Sequence, residues 1–518
     1  MYVEEQLSNI KDNSEEAKLK KIREEIVKAY IALMFTFLPL YYSDNYYNIL
    51  HDKRDVYVKF TIAFLIIIVL FGVIQIILTR GKIIKDLIKE ETKSICLLDI
   101  VMLLFAIAAV ISTCLSGDRT ASFTGESAWD VGSGVIVLAT AMYFAVSRLF
   151  SRRADIWFYI YVGSFAVLMI GIIDRLGYDF LIMHDEIPLQ YEIFISTIGN
   201  VNFWSGYLSM LVPIFALAPI FMKSRITRFF SYIYVFAAYF SCFITLSNTT
   251  YIGIGCGMVY IVYCSLRDRN HLKNLGANMI LFMLAGMLAN IFWKRQITPR
   301  AIDTDTISLL LLEYKLYYVV GAAGVLLLLY ALLAKGEHEK GYRIERYAWI
   351  GILVFALGGV VTYMVFNYSL ELFNYRGSIW YFSWMGYISG SVKDIIIGAG
   401  PGLLDTVTQA QIAKADITVV WDYLYDTAHN DVLEYLVTTG AVGAVLRLAM
   451  YIIPFVMIEK KNNNKSCRYQ AEREAILAGL VGFIGQGLVT GPYLLTYVMY
   501  IILIGLLVGY YRKENDNC

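Results

Sequence analysis

Apolar runs of about 20 residues recur from one end of this 518-residue chain to the other, separated by short charged or turn-forming stretches. A helix of that length crosses a hydrocarbon layer of roughly 30 Å. Inside such a layer a backbone amide has no water to bond, so each crossing segment must satisfy its own hydrogen bonds. The expected fold class is therefore all-α: a polytopic transmembrane helix bundle of about 12–14 spans. Composition agrees, with 58% hydrophobic and 17% charged residues where a soluble domain carries about 25% charged. The net charge of +1 excludes nothing about partners. Its distribution is more informative.

The apolar runs fall at about 30–41, 56–79, 94–115, 132–150, 156–176, 202–222, 229–247, 251–266, 276–293, 308–333, 347–368, 431–458, 475–489 and 493–511. Ahead of them, residues 8–28 read as an amphipathic helix on the cytoplasmic surface, its charges paired one turn apart. A charged first 28 residues, with no small-residue cleavage site after the first run, speak against a secretory signal peptide. Five of the seven cysteines lie in or beside apolar runs, so no disulfide framework is expected, and no Cys/His spacing suits zinc.

Lys and Arg in short loops set the orientation of such a chain. Segments 80–93, 151–155, 223–228, 267–273, 335–346, 459–468 and 512–513 are basic. The loops between them, including 116–130, 177–192 and the long stretch 368–430, are acidic or neutral. One alternating arrangement places every segment of that basic set, and both termini, on the cytoplasmic side. The segment 294–300 is then the one net-basic stretch outside. The expected organisation is a cytoplasmic segment 1–29, a bundle 30–368, an extracytoplasmic catalytic loop 369–430, C-terminal membrane helices 431–511 and a cytoplasmic tail 512–518.

Polar side chains concentrate where the outer loops re-enter the membrane. Trp380, Tyr381, Phe382, Trp384 and Tyr387 crowd one helix-length segment suited to the aromatic belt, and Gly398, Gly400 and Gly402 around Pro401 end it with a turn. A second helical piece, 406–417, leads to Asp422, Asp426, Thr427, His429, Asn430 and Asp431 at the start of a membrane helix. Thr427 or Asp426 is expected to cap that helix. The positive helix end disfavours imidazolium, which suits His429 to accept a proton, and it attracts anions. The plain alternative is an interfacial histidine bonded to its own loop. Asn430 and Asp426 are expected to touch substrate beside it. Arg376 stands on the same side, where a guanidinium grips phosphate oxygens bidentately or anchors to lipid headgroups. Asn200, Asn202 and Asn248 also sit at outer junctions and read first as turn and cap residues. Asp99, Asp174 and Glu313 lie near span ends, either as functional intramembrane charges or as partners of Arg175 or Lys315. The GAGPG stretch 398–402 is too short for a nucleotide loop and on the wrong side for one.

Four of these stretches together resemble the bacterial O-antigen ligase and O-antigen polymerase superfamily. AHNDVLEYLVTTGAVGAVL (428–446) is similar to that family's His-Asn-x-x-Leu followed by Gly-x-x-Gly. GNVNFWSGYLSMLVPI (199–214) resembles its Gly-Asn-x-Asn span opening, and YRGSIWYFSWMGYISGSVKDIIIGAGPG (375–402) its Arg-x-x-x-Trp helix closed by Gly-x-Gly-Pro-Gly. SGDRTASFTGESAWDVGSG (116–134) is like an early outer loop of the family. Their order and spacing agree over about residues 95–510.

The resemblance implies a metal-independent, inverting glycosyltransferase without a cofactor. Its donor would be an undecaprenyl-diphosphate-linked glycan at the outer face of the bacterial plasma membrane. Its acceptor would be a glycan, a lipid or the wall. By the same resemblance His429 activates the acceptor hydroxyl and Arg376 holds the donor diphosphate. Asn200, Asn202 and Arg119 fall in its outer-face motifs and are expected to bind substrate. One departure stands out: Ser247-Asn248 occupies the place of a family Ser-Arg, leaving Asn248 as the matching substrate contact and Arg119, Arg295 or Arg300 as candidate replacement cations. Membrane lipids are expected partners and nucleic acid is not. Two rivals remain: a flippase for the same lipid-linked glycans, and a scaffold that binds them without turnover. A flippase is usually built on repeated halves with a charge-lined cavity, whereas no repeat is seen here and the polar motifs share one face.

Overall fold

The computed structural model describes residues 2–43, 48–78, 95–126, 129–150, 155–183, 194–295, 307–333, 339–415, 425–462 and 469–515. Apart from two paired two-residue strands, Phe194–Ile195 and Gly199–Asn200, its regular structure is helical. The first helices are α1 (Tyr2–Leu40), α2 (Ile49–Leu78), α3 (Leu97–Cys114), α4 (Arg119–Thr124), α5 (Ser133–Leu149) and α6 (Asp155–Arg175). Next come α7 (Val201–Phe221), α8 (Arg225–Thr245), α9 (Asn248–Ser265), α10 (Arg269–Lys294), α11 (Ile307–Glu313), α12 (Leu316–Leu333) and α13 (Glu339–Phe366). The polar stretch supplies α14 (Leu372–Ile388), α15 (Val392–Ile397) and α16 (Leu404–Ile412). The chain closes with α17 (Asp431–Thr438), α18 (Gly440–Asn462), α19 (Gln470–Gly487) and α20 (Leu494–Asn515).

Among the described residues nine helices are long and apolar enough to cross a membrane, so this is a multi-pass membrane protein. Their burial sorts them. Helices α7 and α20 are enclosed on nearly every side and form the centre. Helix α2 instead exposes Ile62, Ile66, Val69, Val73 and Ile77 along one strip, a surface that suits acyl chains and not water. Close approach at the centre requires missing side chains. A Cβ on Gly482 of α19 would sit 1.8 Å from the Ser209 carbonyl oxygen of α7, and one on Gly253 of α9 would sit 2.0 Å from Ser209 Oγ. Small residues let membrane helices pack backbone to backbone.

Four expected boundaries differ. The amphipathic segment and the first apolar run form one helix, α1, because nothing between residues 28 and 30 breaks the hydrogen-bond ladder. The run 308–333 divides into α11 and α12 at Lys315, whose φ is +53°. The run 431–458 divides at Gly440, whose φ of +69° ends α17 and restarts the chain as α18. A Cβ at Gly440 would meet the Ile396 backbone at 2.4 Å, so the break is enforced by α15 packing against it. Likewise the aromatic helix α14 ends at Ile388, ahead of α15, and the glycine turn follows α15 instead. Much of the basic loops 80–93, 151–155, 335–346 and 459–468, together with Arg300 and Asp422, lies outside the described residues.

Two of the three carboxylates near span ends, Asp99 and Asp174, make structural contacts. Asp99 accepts from Tyr143 at 2.6 Å and pairs with Arg148 at 3.4 Å and with Arg512, tying α3, α5 and α20 together. Asp174 accepts from the Ser196 amide at 3.0 Å, Arg175 donates to the Thr245 carbonyl at 3.3 Å, and Glu313 is exposed. Deeper in the bundle, Arg447 of α18 is fully buried and donates to Asp431 at 2.8 Å. Five rings surround its guanidinium: Tyr435, Tyr451, Phe483, Tyr497 and Tyr500, all within 5.8 Å. Removing one partner of a buried ion pair strands the other charge at a cost of about 3–5 kcal/mol. Asp431→Ala is therefore expected to lower the thermal unfolding midpoint of detergent-solubilised protein markedly, and Asp431→Ala with Arg447→Met to recover most of it. Equal midpoints for Asp431→Ala and wild type would show that the pair carries no stability.

Candidate functional site

His429 is held by its neighbours more than by its own side chain. The residue ahead of it, Ala428, donates its amide to Glu434 Oε2 at 2.8 Å, one turn into α17. The residue after it, Asn430, caps α17 by accepting the Leu433 amide at 3.0 Å. Asn430, not Thr427 or Asp426, is thus the cap, because only it precedes the first helical residue. Its Nδ2 donates to the Leu488 carbonyl at 3.1 Å, so this amide also ties the start of α17 to the end of α19. Between these ties His429 takes φ +46°, a left-handed conformation that costs a non-glycine residue about 1–3 kcal/mol and persists where the surroundings over-determine it.

The ring of His429 packs edge-on against Trp129 with centroids 5.1 Å apart. The same indole donates its Nε1 hydrogen to Asp426 Oδ2 at 2.8 Å. Phe203, in the first turn of α7, packs against the other side of Trp129 at 4.9 Å and stacks on Tyr493 at 4.3 Å. Tyr493 in turn donates to the Phe203 carbonyl at 2.7 Å. Trp129 itself lies on two consecutive left-handed residues, with φ +51° there and +63° at Asp130. That turn is anchored from α2: buried Asp130 meets His51 Nδ1 at 2.8 Å and Arg54 at 2.7 Å.

The glycine turn 398–402 joins the same assembly. Gly400 donates its amide to the Thr438 carbonyl at 2.8 Å and Ala399 donates to Val437 at 3.1 Å, closing the end of α17. A Cβ at Gly402 would lie 3.0 Å from Gly125, so the turn also rests on the loop 116–134. All four stretches that carried the resemblance therefore meet at one end of the bundle, around His429. This convergence was not visible from their spacing.

Electrostatics separate the side chains by role. Burial, reinforced by the positive charge of Arg376, lowers the His429 imidazole to about 3. His429 is neutral at physiological pH, as expected, but burial is the main cause and not the helix end. Its Nδ1 is sealed from solvent with no hydrogen-bond partner. Arg376 donates Nη1 to the Phe373 carbonyl at 3.1 Å, its buried Nε has no partner, and no carboxylate pairs with it among the described residues. Burial alone pulls its pKa down from the usual arginine range. Asp426 is half-buried, and burial raises its carboxyl to about 6, against the lowering effect of the Trp129 hydrogen bond.

The remaining expected contacts divide differently. Asn200 caps α7 by accepting the Asn202 amide at 2.8 Å, and Asn202 Oδ1 accepts from Thr249 at 3.0 Å. Asn248 Oδ1 accepts the Ile307 amide at 2.8 Å, which fixes α11 to the tip of α9. Each of these three asparagines thus holds the scaffold through its side-chain oxygen. Arg119 is exposed at the start of α4, and no contact links it to His429. Trp129, Phe203, Tyr493, Asp130 and Glu434 were missed; the one available signal was Trp129 beside an acidic residue in a polar loop between two apolar runs.

No protein-family model matches this chain, and no curated protein matches it. Beside the site, an apolar groove of about 580 Å³ runs between α3, α15 and α18, lined by residues such as Leu104, Ile107, Ile396, Val442 and Thr439. Thr439 and His429 lie at the two ends of α17, about 15 Å apart at helical rise. The charge state of His429 is directly testable. In nitrogen NMR of histidine-labelled protein, assigned with His429→Gln, its imidazole is expected to stay neutral down to about pH 4. A midpoint near that of a free imidazole would contradict the burial described here.

Proposed function

We propose that the chain is an O-antigen ligase-like or polymerase-like glycosyltransferase. It moves a glycan from undecaprenyl diphosphate to a sugar hydroxyl at the outer face of the bacterial plasma membrane, with both termini in the cytoplasm. One observation carries this reading: the four stretches that resemble the family, spread over some three hundred residues, gather around His429, Asp426 and Trp129 near an Arg376 without an acidic partner.

The chemistry fits such a reaction. Outside the cell no nucleotide supplies energy, so the departing lipid diphosphate must. An arginine with no carboxylate against it is free to take up the charge that develops on that diphosphate, and such electrostatic stabilisation is usually the largest catalytic contribution. Neutral His429 is suited to hold the acceptor hydroxyl, which attacks the anomeric carbon from the face opposite the leaving group. The apolar groove at the far end of α17 suits a polyisoprenyl chain, and the acceptor is a second glycan, a lipid or the wall. The reading involves no metal and no cofactor of its own.

Purified protein in liposomes with a lipid-diphosphate oligosaccharide tests the proposal, with products read on a glycan gel. Wild type is expected to transfer glycan, and His429→Ala to lose transfer. Arg376→Ala is expected to slow it by about a hundred- to a thousand-fold, the usual cost of one oxyanion-stabilising donor. A ladder from donor alone marks a polymerase, and transfer only with a second acceptor marks a ligase. Movement of the lipid between leaflets without transfer would contradict the proposal.

A further inference from the structure

The segment 426–434 holds three carboxylates, and two of them are committed. Asp431 is paired with buried Arg447, and Glu434 is turned back onto the Ala428 amide. Asp426 is different. It has no cation against it among the described residues, and its one side-chain hydrogen bond is the 2.8 Å contact from the Trp129 indole, beside backbone hydrogen bonds from Thr427 and its own amide. It is half-buried on the same loop as His429, and both side chains touch the same indole.

His429 lacks what a proton-accepting histidine uses. Such an imidazole donates its second nitrogen to a carboxylate or carbonyl, which steadies the imidazolium once formed. Here Nδ1 is sealed and partnerless. Protonating the ring would place a positive charge beside that buried nitrogen and in the field of Arg376. Building on the transferase reading above, we propose that Asp426 is the catalytic base, that Trp129 is its positioning residue, and that His429 orients the acceptor without taking its proton. The acceptor oxygen bonds to the anomeric carbon as its proton passes to an Asp426 carboxylate oxygen. The bond from that carbon to the diphosphate oxygen breaks, and its electron pair leaves with the lipid diphosphate.

The groups around Asp426 favour this assignment. Asp405 of α16 acts on it as a neighbouring carboxyl and Asp426 in turn acts on Glu434 of α17, while His429 is neutral and Arg376 lies on the histidine side. Burial, with a smaller push from Asp405, raises the Asp426 carboxyl to about 6, and the hydrogen bonds from Trp129 and from the Thr427 and Asp426 amides keep it from rising further. A base near the working pH balances deprotonation against proton affinity. The indole is in turn held by the strained turn at Trp129–Asp130, which His51 and Arg54 clamp from α2.

The test is the pH dependence of transfer in liposomes, with infrared titration of the protonated-carboxyl band in the same protein without substrate. The sign follows from the raised carboxyl: activity is present above about pH 6 and falls as pH drops through it. Trp129→Phe keeps a ring but removes the donated hydrogen, so the acid limb of the rate profile and the infrared midpoint should both move to higher pH. Asp426→Asn should lose about a hundred- to ten-thousand-fold in rate, the usual contribution of a general base, and Asp426→Glu should recover part of it. Near wild-type transfer by Asp426→Asn, or an acid limb unmoved in Trp129→Phe, overturns the assignment and leaves glycosyl transfer standing. If Asp426→Asn fails to fold, the Asp426→Glu and Trp129→Phe profiles decide. No transfer by wild type overturns both readings, and the infrared titration then still reports whether Asp426 is the titrating carboxyl.

Discussion

The indole of Trp129 is the contact on which the candidate site depends. Its edge meets His429, its nitrogen holds Asp426, and its other side rests on Phe203 at the mouth of the central helix α7. One side chain thus connects an early loop, a central span and the junction before α17. Its backbone occupies a conformation that non-glycine residues avoid, two residues running. Such strain persists only where several contacts act together, and here they are the buried Asp130 and its two cationic partners on α2. The site is therefore built by convergence, and no single motif contains it.

The bundle beneath separates two uses of charge. At the opposite end from His429, Arg267 of the α9–α10 turn bridges Glu459 and Glu474, and Arg346 joins Glu459, so paired charges tie α13, α18 and α19 to that turn. Near the site no carboxylate pairs with Arg376 among the described residues, and the buried Nδ1 of His429 has no partner. Paired charges hold a structure together, while uncommitted polar groups in a half-buried place are available to a ligand. Arg447 stands between the two regimes. Its pair with Asp431 lies inside an aromatic cage and sets where α17 begins, hence where Asn430 and His429 sit.

Much of this was legible in the chain. Apolar runs of spanning length gave an all-helical membrane protein, and the polar cluster at Asp426–Asp431 pointed to the region where the four motif-bearing stretches meet. Helix breaks inside apolar runs were not legible, because Gly440 and Lys315 look like tolerated interior residues until a neighbouring backbone forces the turn. The asparagines show a related limit. Asn200, Asn202, Asn248 and Asn430 offer the same amide whether it caps a helix or meets a sugar, and only the fold reveals the scaffold bond that each one makes. Trp129 was hidden because its role depends on Asp426, some three hundred residues away.

The most direct test of the central claim is to map where a lipid-linked glycan binds. A lipid-diphosphate oligosaccharide with a photoreactive group on its reducing-end sugar would be crosslinked to the protein in liposomes and the labelled peptides sequenced. The account predicts label on the segments around Arg376, Trp129 and Asp426–Asn430, reduced in Arg376→Ala. Label concentrated instead around Arg267, Glu459 and Glu474, at the other end of the bundle, would contradict it.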